Sequence, residues 1–215
     1  MANLKSLAKD TAIYGLSSIA ARFVGYLLVP IETAKFSAED GQYGIITNIY
    51  AYVALLIIVL TYGMETTFFR FMNRQGEQPE KVYATALRMV ALTSVCFVAL
   101  VALFLSPISD VVGYPDHHEF IMIMATCVAV DAFINIPMAY LRYAHRPIKF
   151  VTLRMISIVV NIVGVLLYLV VLPYFRLNLF GIYDANFSLN VVGVFWIELA
   201  GSVLTLSLLW VLRGS

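Results

Sequence analysis

The chain has 215 residues, of which 61% are hydrophobic and 13% are charged, and its mean hydropathy is +0.88. An ordinary soluble domain has about 45–50% apolar and about 25% charged residues. The composition argues against a soluble enzyme, which would lack the polar residues needed to cover its surface. The net charge of +1 argues against a nucleic-acid partner. Long apolar runs favour an all-α integral membrane protein over a membrane barrel.

Six segments are long and apolar enough to cross a membrane as helices, since about 20 residues span about 30 Å of hydrocarbon. The gaps between them contain glycine, proline and acidic residues, which are typical of loops. The first segment is predicted to be a retained helix rather than a signal peptide, because it is too long and contains Arg22. The predicted spans are residues 11–31, 45–69, 83–106, 120–143, 150–173 and 191–212.

The basic residues predict the orientation of this six-helix bundle, because Lys and Arg accumulate in short cytoplasmic loops. Eleven of them fall at the two termini or near the second-to-third and fourth-to-fifth connections, whereas Lys35 and Arg176 fall on the opposite side. Both termini are therefore predicted to be cytoplasmic. Residues 1–215 are interpreted as a single membrane domain.

Four ionisable side chains fall well inside predicted spans. Each costs about 3 kcal/mol near the bilayer centre, so each needs a partner or a water-filled cavity. The four residues are Arg22, Glu65, Asp131 and Glu198.

Arg22 shares one helical face with Gly15, Ser18 and Gly25. Small residues on one face allow helices to approach closely, so Arg22 is predicted to face the bundle. Arg22 and Asp131 each lie about 16 Å deep if their helices are regular. Two interpretations are open: the two residues form a structural ion pair, or Arg22 lines a substrate cavity as a cationic group.

Asp131, Asn135 and Arg142 form a polar stripe along the fourth predicted helix, because spacings of four and seven residues place them on one face. Pro137 lies within this stripe and is expected to interrupt and kink the helix, because proline removes a backbone hydrogen bond. Membranes tolerate such a feature where neighbouring groups or water satisfy the backbone.

The other charges near the membrane have several interpretations. Glu65 precedes Arg70 by five residues, so a local ion pair is expected. Arg88 and Arg154 lie about one turn inside their cytoplasmic ends and can extend to the membrane surface. Glu198 lies about two turns from the outer face, where a local hydrogen bond and a proton-carrying role are both open.

The sequence lacks the nucleophile-elbow, zinc-protease, P-loop and dinucleotide-binding motifs. Residues 116–119 read DHHE, but these side chains are adjacent rather than spaced on one helical face. We interpret them as a solvated loop and not as a metal site. The sequence therefore predicts no enzyme activity, no cofactor and no metal.

Three segments are similar to a known transporter family. Residues 61–71 read TYGMETTFFRF, residues 36–45 read FSAEDGQYGI, and residues 17–23 read SSIAARF. Together they resemble the N-terminal part of bacterial flippases for polysaccharide or oligosaccharide precursors (lipid-linked O-antigen or capsule) of the multidrug/oligosaccharidyl-lipid/polysaccharide exporter superfamily. Outside residues 11–71 the resemblance is mainly one of helix length and order, and residues 41–42 resemble a small insertion.

This resemblance implies a six-helix lobe of a two-lobe, alternating-access transporter in the bacterial cytoplasmic (inner) membrane. The implied substrate is a lipid-linked (polyprenyl-pyrophosphate) oligosaccharide, moved from the cytoplasmic to the outer leaflet. Transporters built from repeats hold their substrate between the two halves. The chain is therefore expected to be the N-terminal half of a longer protein or to pair with a second copy.

The implied substrate carries negative charge on its pyrophosphate, and arginine binds phosphate through its planar fork. The candidates for substrate binding are Arg22, Arg70 and Arg142. The candidates for a charge partner or for coupling to an ion are Asp131, Glu198 and Glu65.

Three other functions are open. An organic-cation antiporter of the same superfamily would carry acidic residues in its first lobe, which Asp131 favours and Arg22 opposes. A non-transporting six-helix assembly subunit would have little need of an interrupted polar stripe. An intramembrane enzyme would need a nucleophile–base or metal constellation that the sequence lacks.

Overall fold

A computed structural model of the chain describes residues 28–36, 41–76, 78–172 and 190–213, together with the isolated positions 12, 15, 16, 19, 23 and 26. The regular secondary structure of these residues is helical. The first helix, α1, is described over residues 28–35. It is followed by α2 (Gln42–Thr61), α3 (Met64–Met72), α4 (Pro79–Leu103), α5 (Leu105–Val112), α6 (His118–Tyr143), α7 (Pro147–Leu166), a π-helical turn (Leu167–Val171) and α8 (Val191–Arg213).

Five helical segments within the described ranges are long and apolar enough to cross a membrane. They coincide with five of the six predicted spans, and four of them begin two to four residues earlier than predicted. The predicted span 11–31 lies mostly outside the described residues, so the count of six stays a prediction. The five segments are Gln42–Met72, Pro79–Leu103, His118–Tyr143, Pro147–Val171 and Val191–Val211.

The helix α6 is central to the bundle and contacts α2, α3, α4, α5, α7 and α8. In the most apolar stretch of α6, 56% of the residues are buried, against 17–39% in the corresponding stretches of the other four spans. Ala125, Ala129, Ala132 and Ala139 are buried along it. These small side chains let the neighbouring helices approach α6 closely.

The outward faces of the surrounding helices carry large apolar side chains. Leu55 and Val59 on α2, Leu92 and Val95 on α4, and Trp210 on α8 are 62–73% exposed. A water-soluble protein rarely exposes so much contiguous apolar surface, whereas hydrocarbon is a favourable environment for it. These faces and the five long apolar helices are those of an all-helical, multi-pass membrane protein.

Aromatic rings fill the core at the end of the bundle where α6 and α8 begin. Phe195 is fully buried and packs edge-on against Tyr50 and Phe120, with ring centroids 6.2 and 5.5 Å apart. The Tyr168 hydroxyl of the π-helical turn donates to the Asn190 carbonyl at 2.6 Å and accepts from the Asn190 N–H at 3.1 Å. These contacts fix the start of α8 relative to α2, α6 and α7.

Two helical features were not anticipated by the sequence. The predicted connection between the third and fourth spans contains most of α5. Pro107 is tolerated there because it lies in the first helical turn, where the backbone N–H that proline lacks would have no hydrogen-bond partner within the helix. Gly113 ends this helix with a φ of 89°. The π-helical turn near the end of the fifth predicted span is a local widening that hydropathy does not reveal.

The second predicted span is broken rather than continuous. The helix α2 ends at Thr61, and α3 begins at Met64. Between them Tyr62 and Gly63 adopt left-handed conformations, with φ values of 33° and 68°. Glycine enters this region readily, whereas a side chain with a Cβ costs about 1–2 kcal/mol there. The break interrupts the helical register, so the faces of α3 do not continue those of α2.

Replacing Gly63 by alanine is expected to lower the free energy of unfolding by about 1–2 kcal/mol, because alanine resists the positive φ. A Cβ at this position meets nothing within 4 Å, so the cost comes from the backbone. Gly44 of α2 has equally open space and is the matched control. Gly44→Ala should be neutral or stabilising, because alanine favours a helix. Thermal unfolding in one detergent compares the two variants, and equal midpoints would contradict the expectation.

Candidate functional site

A cavity of about 580 Å³ lies between α6, α7 and α8, with Leu28 of α1 and Ile57 of α2 at its edge. Its volume falls within the range of about 300–1,000 Å³ that is usual for small-molecule sites. Polar groups are costly at membrane depth and are typical of substrate or ion pathways. The polar residues that line this cavity are Asp131, Asn135, Arg142, Arg154, Ser157, Asn161, Glu198 and Ser202.

The helix α6 brings three of these residues to the cavity on one face. Asp131, Asn135 and Arg142 all line it, which is the arrangement that their spacing predicts. Pro137 lies inside α6 without ending it, and the helix continues to Tyr143. The three polar side chains therefore belong to one continuous helical wall.

Asp131 is held by side chains from α6 and α8. The Ser202 hydroxyl donates a hydrogen bond to Asp131 Oδ1 at 2.6 Å, and Cys127 Sγ lies 3.9 Å from Oδ2. The same Sγ lies 3.6 Å from Ser202 Oγ, so the three groups form a closed network. This network fixes the carboxylate against α8 at the cavity wall.

Glu198 of α8 is held by donors from two other helices. Its Oε2 accepts hydrogen bonds from the Asn161 amide of α7 and from the Tyr50 hydroxyl of α2, the latter at 3.4 Å. The carboxylate thereby joins α2, α7 and α8. The hydrogen bonds of Glu198 are not the local one that the sequence left open, because both donors come from other helices; its proton-carrying role stays a prediction.

Neither carboxylate forms an ion pair in the described part of the chain, and the positive charge of Arg154 acts on Asp131 from beyond ion-pair distance. Neither Asp131 nor Glu198 lies within 4.0 Å of a basic side-chain nitrogen among these residues. Two carboxylates near each other in an apolar bundle repel, so keeping both ionised is costly. Arg22 lies outside the described residues, and its pairing with Asp131 stays a prediction.

Arg142 is held at the other end of the polar stripe by an acid and two aromatic rings. Its Nη2 lies 2.8 Å from Glu65 Oε1, and its guanidinium carbon lies 5.6 Å from the ring centroids of both Phe69 and Phe150. The prediction of a local ion pair between Glu65 and Arg70 is wrong, because Glu65 pairs with Arg142. Residues five apart do not share a helix face, and the break before α3 allows Glu65 to reach α6 instead.

The residues that line the cavity differ in part from the site residues predicted from the sequence. Arg70 is exposed in the last turn of α3 and does not line the cavity. Arg154, expected to extend to the membrane surface, lines the cavity together with Ser157 and Asn161. These three are spaced by three and four residues on α7, so helical periodicity would have revealed their common face. No comparable pattern in the sequence indicates the contact between Ser202 and Asp131.

The charges of the cavity are divided along its length. Arg142 lies near the C-terminal end of α6 and Arg154 in the N-terminal half of α7, whereas Asp131 lies in the middle of α6. Eleven residues separate Asp131 from Arg142, which is about 16 Å along a helix. The arginines therefore lie towards the predicted cytoplasmic side, and Asp131 and Glu198 lie deeper.

No family model matches the chain, and no curated protein and no solved structure matches it. Its function is therefore inferred from the side chains that line the cavity. These supply two guanidinium groups for an anion and two carboxylates for a proton or another cation.

The Arg142–Glu65 pair is expected to couple α6 to α3 by about 1 kcal/mol, less than a fully buried pair because the side chains are 31% and 41% exposed. A double-mutant cycle with Glu65→Gln and Arg142→Gln isolates this energy from thermal unfolding midpoints. The double variant should lose less than the sum of the two single losses.

The control is a second cycle with Glu65→Gln and Arg70→Gln, which removes the same charges from a pair that is not in contact. Its losses should add. Coupling between Glu65 and Arg70, or additivity for Glu65 and Arg142, would contradict the pairing seen in the structure.

Proposed function

We propose that the chain is a substrate-binding lobe of a transporter that moves a lipid-linked (polyprenyl-pyrophosphate) oligosaccharide from the cytoplasmic to the outer leaflet of a bacterial cytoplasmic membrane. The observation that carries this proposal is the division of charge in the 580 Å³ cavity, with Arg142 and Arg154 towards one end and Asp131 and Glu198 deeper. The resemblance of residues 61–71 to polysaccharide flippases supports the same substrate class.

The cavity suits the chemical problem that such a substrate presents. A pyrophosphate-linked glycan carries negative charge and many hydroxyl groups, which cannot enter hydrocarbon without large desolvation costs. Polar side chains that line a cavity within the bundle replace part of the lost hydration. The polyprenyl chain needs no such replacement, because it stays in hydrocarbon.

Arg154 is the first candidate for contact with the pyrophosphate. It is exposed to the cavity, and among the described residues it forms no ion pair within 4.0 Å. Its planar guanidinium can donate two parallel hydrogen bonds to phosphate oxygens. Arg142 is the second candidate, since its charge is already balanced by Glu65. Arg22 remains a candidate from the sequence.

Asp131 and Glu198 are the candidates for coupling transport to a cation. Repulsion between the two carboxylates favours a state in which one of them holds a proton or another cation. The bound cation would leave when the site faces the opposite side of the membrane. Ser202 and Asn161 would keep the two carboxylates in place in both states, since each already donates to one of them.

Alternating access also requires a partner for this lobe. Transporters with internal repeats bind substrate at the interface of two halves that rock against each other. We propose that a second lobe or a second copy of the chain completes the cavity opposite α6 and α7. Membrane lipid surrounds the remaining outward faces.

The two carboxylates also favour a second candidate, export of an organic cation by an antiporter of the same superfamily. Asp131 and Glu198 would then bind the substrate itself, and Arg154 would oppose it. The two candidates differ in the expected effect of Arg154, because removing a positive charge weakens binding of an anion and strengthens binding of a cation.

Arg154→Ala is expected to reduce flipping at least tenfold, because it removes a charge-assisted hydrogen bond of about 1.5–3 kcal/mol. Arg154→Lys should retain part of the activity, since it keeps the charge but not the fork. The measurement is exposure of lipid-linked oligosaccharide to a non-permeant probe at the outer leaflet of cells that depend on this chain.

Arg70→Ala is the control, because it removes the same charge outside the cavity. Its flipping rate should stay within twofold of the unchanged chain. Unchanged flipping in Arg154→Ala would reject the anionic-substrate proposal, and increased efflux of an organic cation in that variant would favour the antiporter.

The combined replacement Asp131→Asn and Glu198→Gln is expected to abolish the dependence of transport on a cation gradient, because neither amide can bind and release the ion. The rate is measured with and without an imposed proton or sodium gradient. Glu119→Gln, an exposed acid that does not line the cavity, is the control and should keep the dependence. A gradient dependence that persists in the double variant would exclude these carboxylates as the coupling site.

A further inference from the structure

A second cavity, of about 490 Å³, lies between the N-terminal part of α4, the C-terminal part of α6 and the start of α7. It is separate from the first cavity because α7 divides them: buried Leu153 lines the second and its neighbour Arg154 lines the first. The helix ends around it lie on the predicted cytoplasmic side. None of the functions discussed above uses it.

The second cavity is cationic. Arg88, Arg146 and Lys149 line it, and Glu80 is the carboxylate among its described lining residues. Within the described ranges none of the three cations forms an ion pair at 4.0 Å or less. Three positive charges, one from α4 and two from the start of α7, therefore converge on one cavity with at most one negative charge to balance them.

The remaining walls are apolar and aromatic. Leu87, Leu153 and Leu209 line the cavity, and the rings of Tyr83 and Tyr140 meet at its edge with centroids 4.9 Å apart. Tyrosine is enriched at the level of lipid headgroups, where one end of the ring is apolar and the other is wet. Cations, interfacial tyrosines and leucines together match an amphiphile with an anionic head and an apolar tail.

The cavity also lies at the boundary between protein and lipid. Met89, next to Arg88, is 48% exposed, and Ile148, next to Lys149, is 76% exposed. Large apolar side chains at these exposures are suited to lipid and not to water. A molecule that diffuses within the leaflet therefore reaches the cavity more readily than one dissolved in water.

We propose that this second cavity binds an anionic phospholipid of the cytoplasmic leaflet, such as phosphatidylglycerol. Arg88, Arg146 and Lys149 contact its phosphate, and its acyl chains lie along the leucine wall. Basic pockets between membrane helices on the cytoplasmic side are suited to anionic headgroups, and the two arginines can donate paired hydrogen bonds to phosphate oxygens. The bound lipid would join α4, α6 and α7 at this end of the bundle.

The test uses the full chain purified in detergent and three probes: phosphatidylglycerol, phosphatidylcholine with the same acyl chains, and inorganic phosphate. Native mass spectrometry counts retained lipid, and thermal unfolding reports stabilisation. We expect phosphatidylglycerol to be retained and to raise the unfolding midpoint, while the other two probes have at most a small effect. Equal effects of the two lipids would overturn the proposal, and so would a phosphate effect as large as that of phosphatidylglycerol.

The variant Arg88→Gln/Arg146→Gln/Lys149→Gln should lose at least tenfold in phosphatidylglycerol affinity. The matched control, Arg70→Gln/Arg74→Gln/Lys81→Gln, removes the same charge on the same predicted side but outside the cavity, and it should retain the lipid. Equal losses in the two variants would indicate diffuse attraction to the surface and overturn the site. If the first variant does not fold, Arg146→Gln and Lys149→Gln singly should each weaken retention, and unchanged retention in both would overturn the site.

Discussion

The polar groups of α6 must be satisfied inside an apolar bundle, and the positions of the neighbouring helices follow from this constraint. Bulk water does not solvate a charge at hydrocarbon depth, so the two charged groups of this polar stripe take partners from other helices. Asp131 takes Ser202 from α8, and Arg142 takes Glu65 from α3. Because these two contacts lie about 16 Å apart along α6, one partner helix is fixed at each end of the cavity.

The break before α3 belongs to the same constraint. Since the helix restarts at Met64 after a left-handed Gly63, Glu65 does not continue the apolar outward face of α2. The rings of Phe69 and Phe150 lie on Arg142 and limit its movement further. Arg142 is thus held in the wall, whereas Arg154, the other arginine of this cavity, forms no ion pair within the described residues.

Hydropathy alone located five spans to within a few residues at their starts, because spanning hydrocarbon requires a minimum apolar length whatever packs against it. Helical spacing placed Asp131 and Arg142 on one wall for a similar reason: a helix fixes which residues share a face. The partner of Arg142 could not be found this way, since Glu65 is remote in sequence and depends on the break at Gly63. The position of Arg154 at the cavity was not predicted, because the prediction considered only its depth along its own helix. The cavity forms only where α6, α7 and α8 pack together.

The two cavities differ in how many of their charged side chains have protein partners, and this difference fits the two proposals made for them, a transported ligand in the first and a resident lipid in the second. In the first cavity Asp131, Glu198 and Arg142 already have protein partners. These hydrogen bonds and one ion pair lower the cost of the charged groups while no ligand is bound, and the proposed transport cycle would leave the cavity empty once in each turn. In the second cavity the cations have no described ion-pair partner, so its stability improves when an anion stays. A site that releases its ligand benefits when protein groups hold its charged side chains. A site that retains an anionic lipid benefits when no protein carboxylate neutralises its cations.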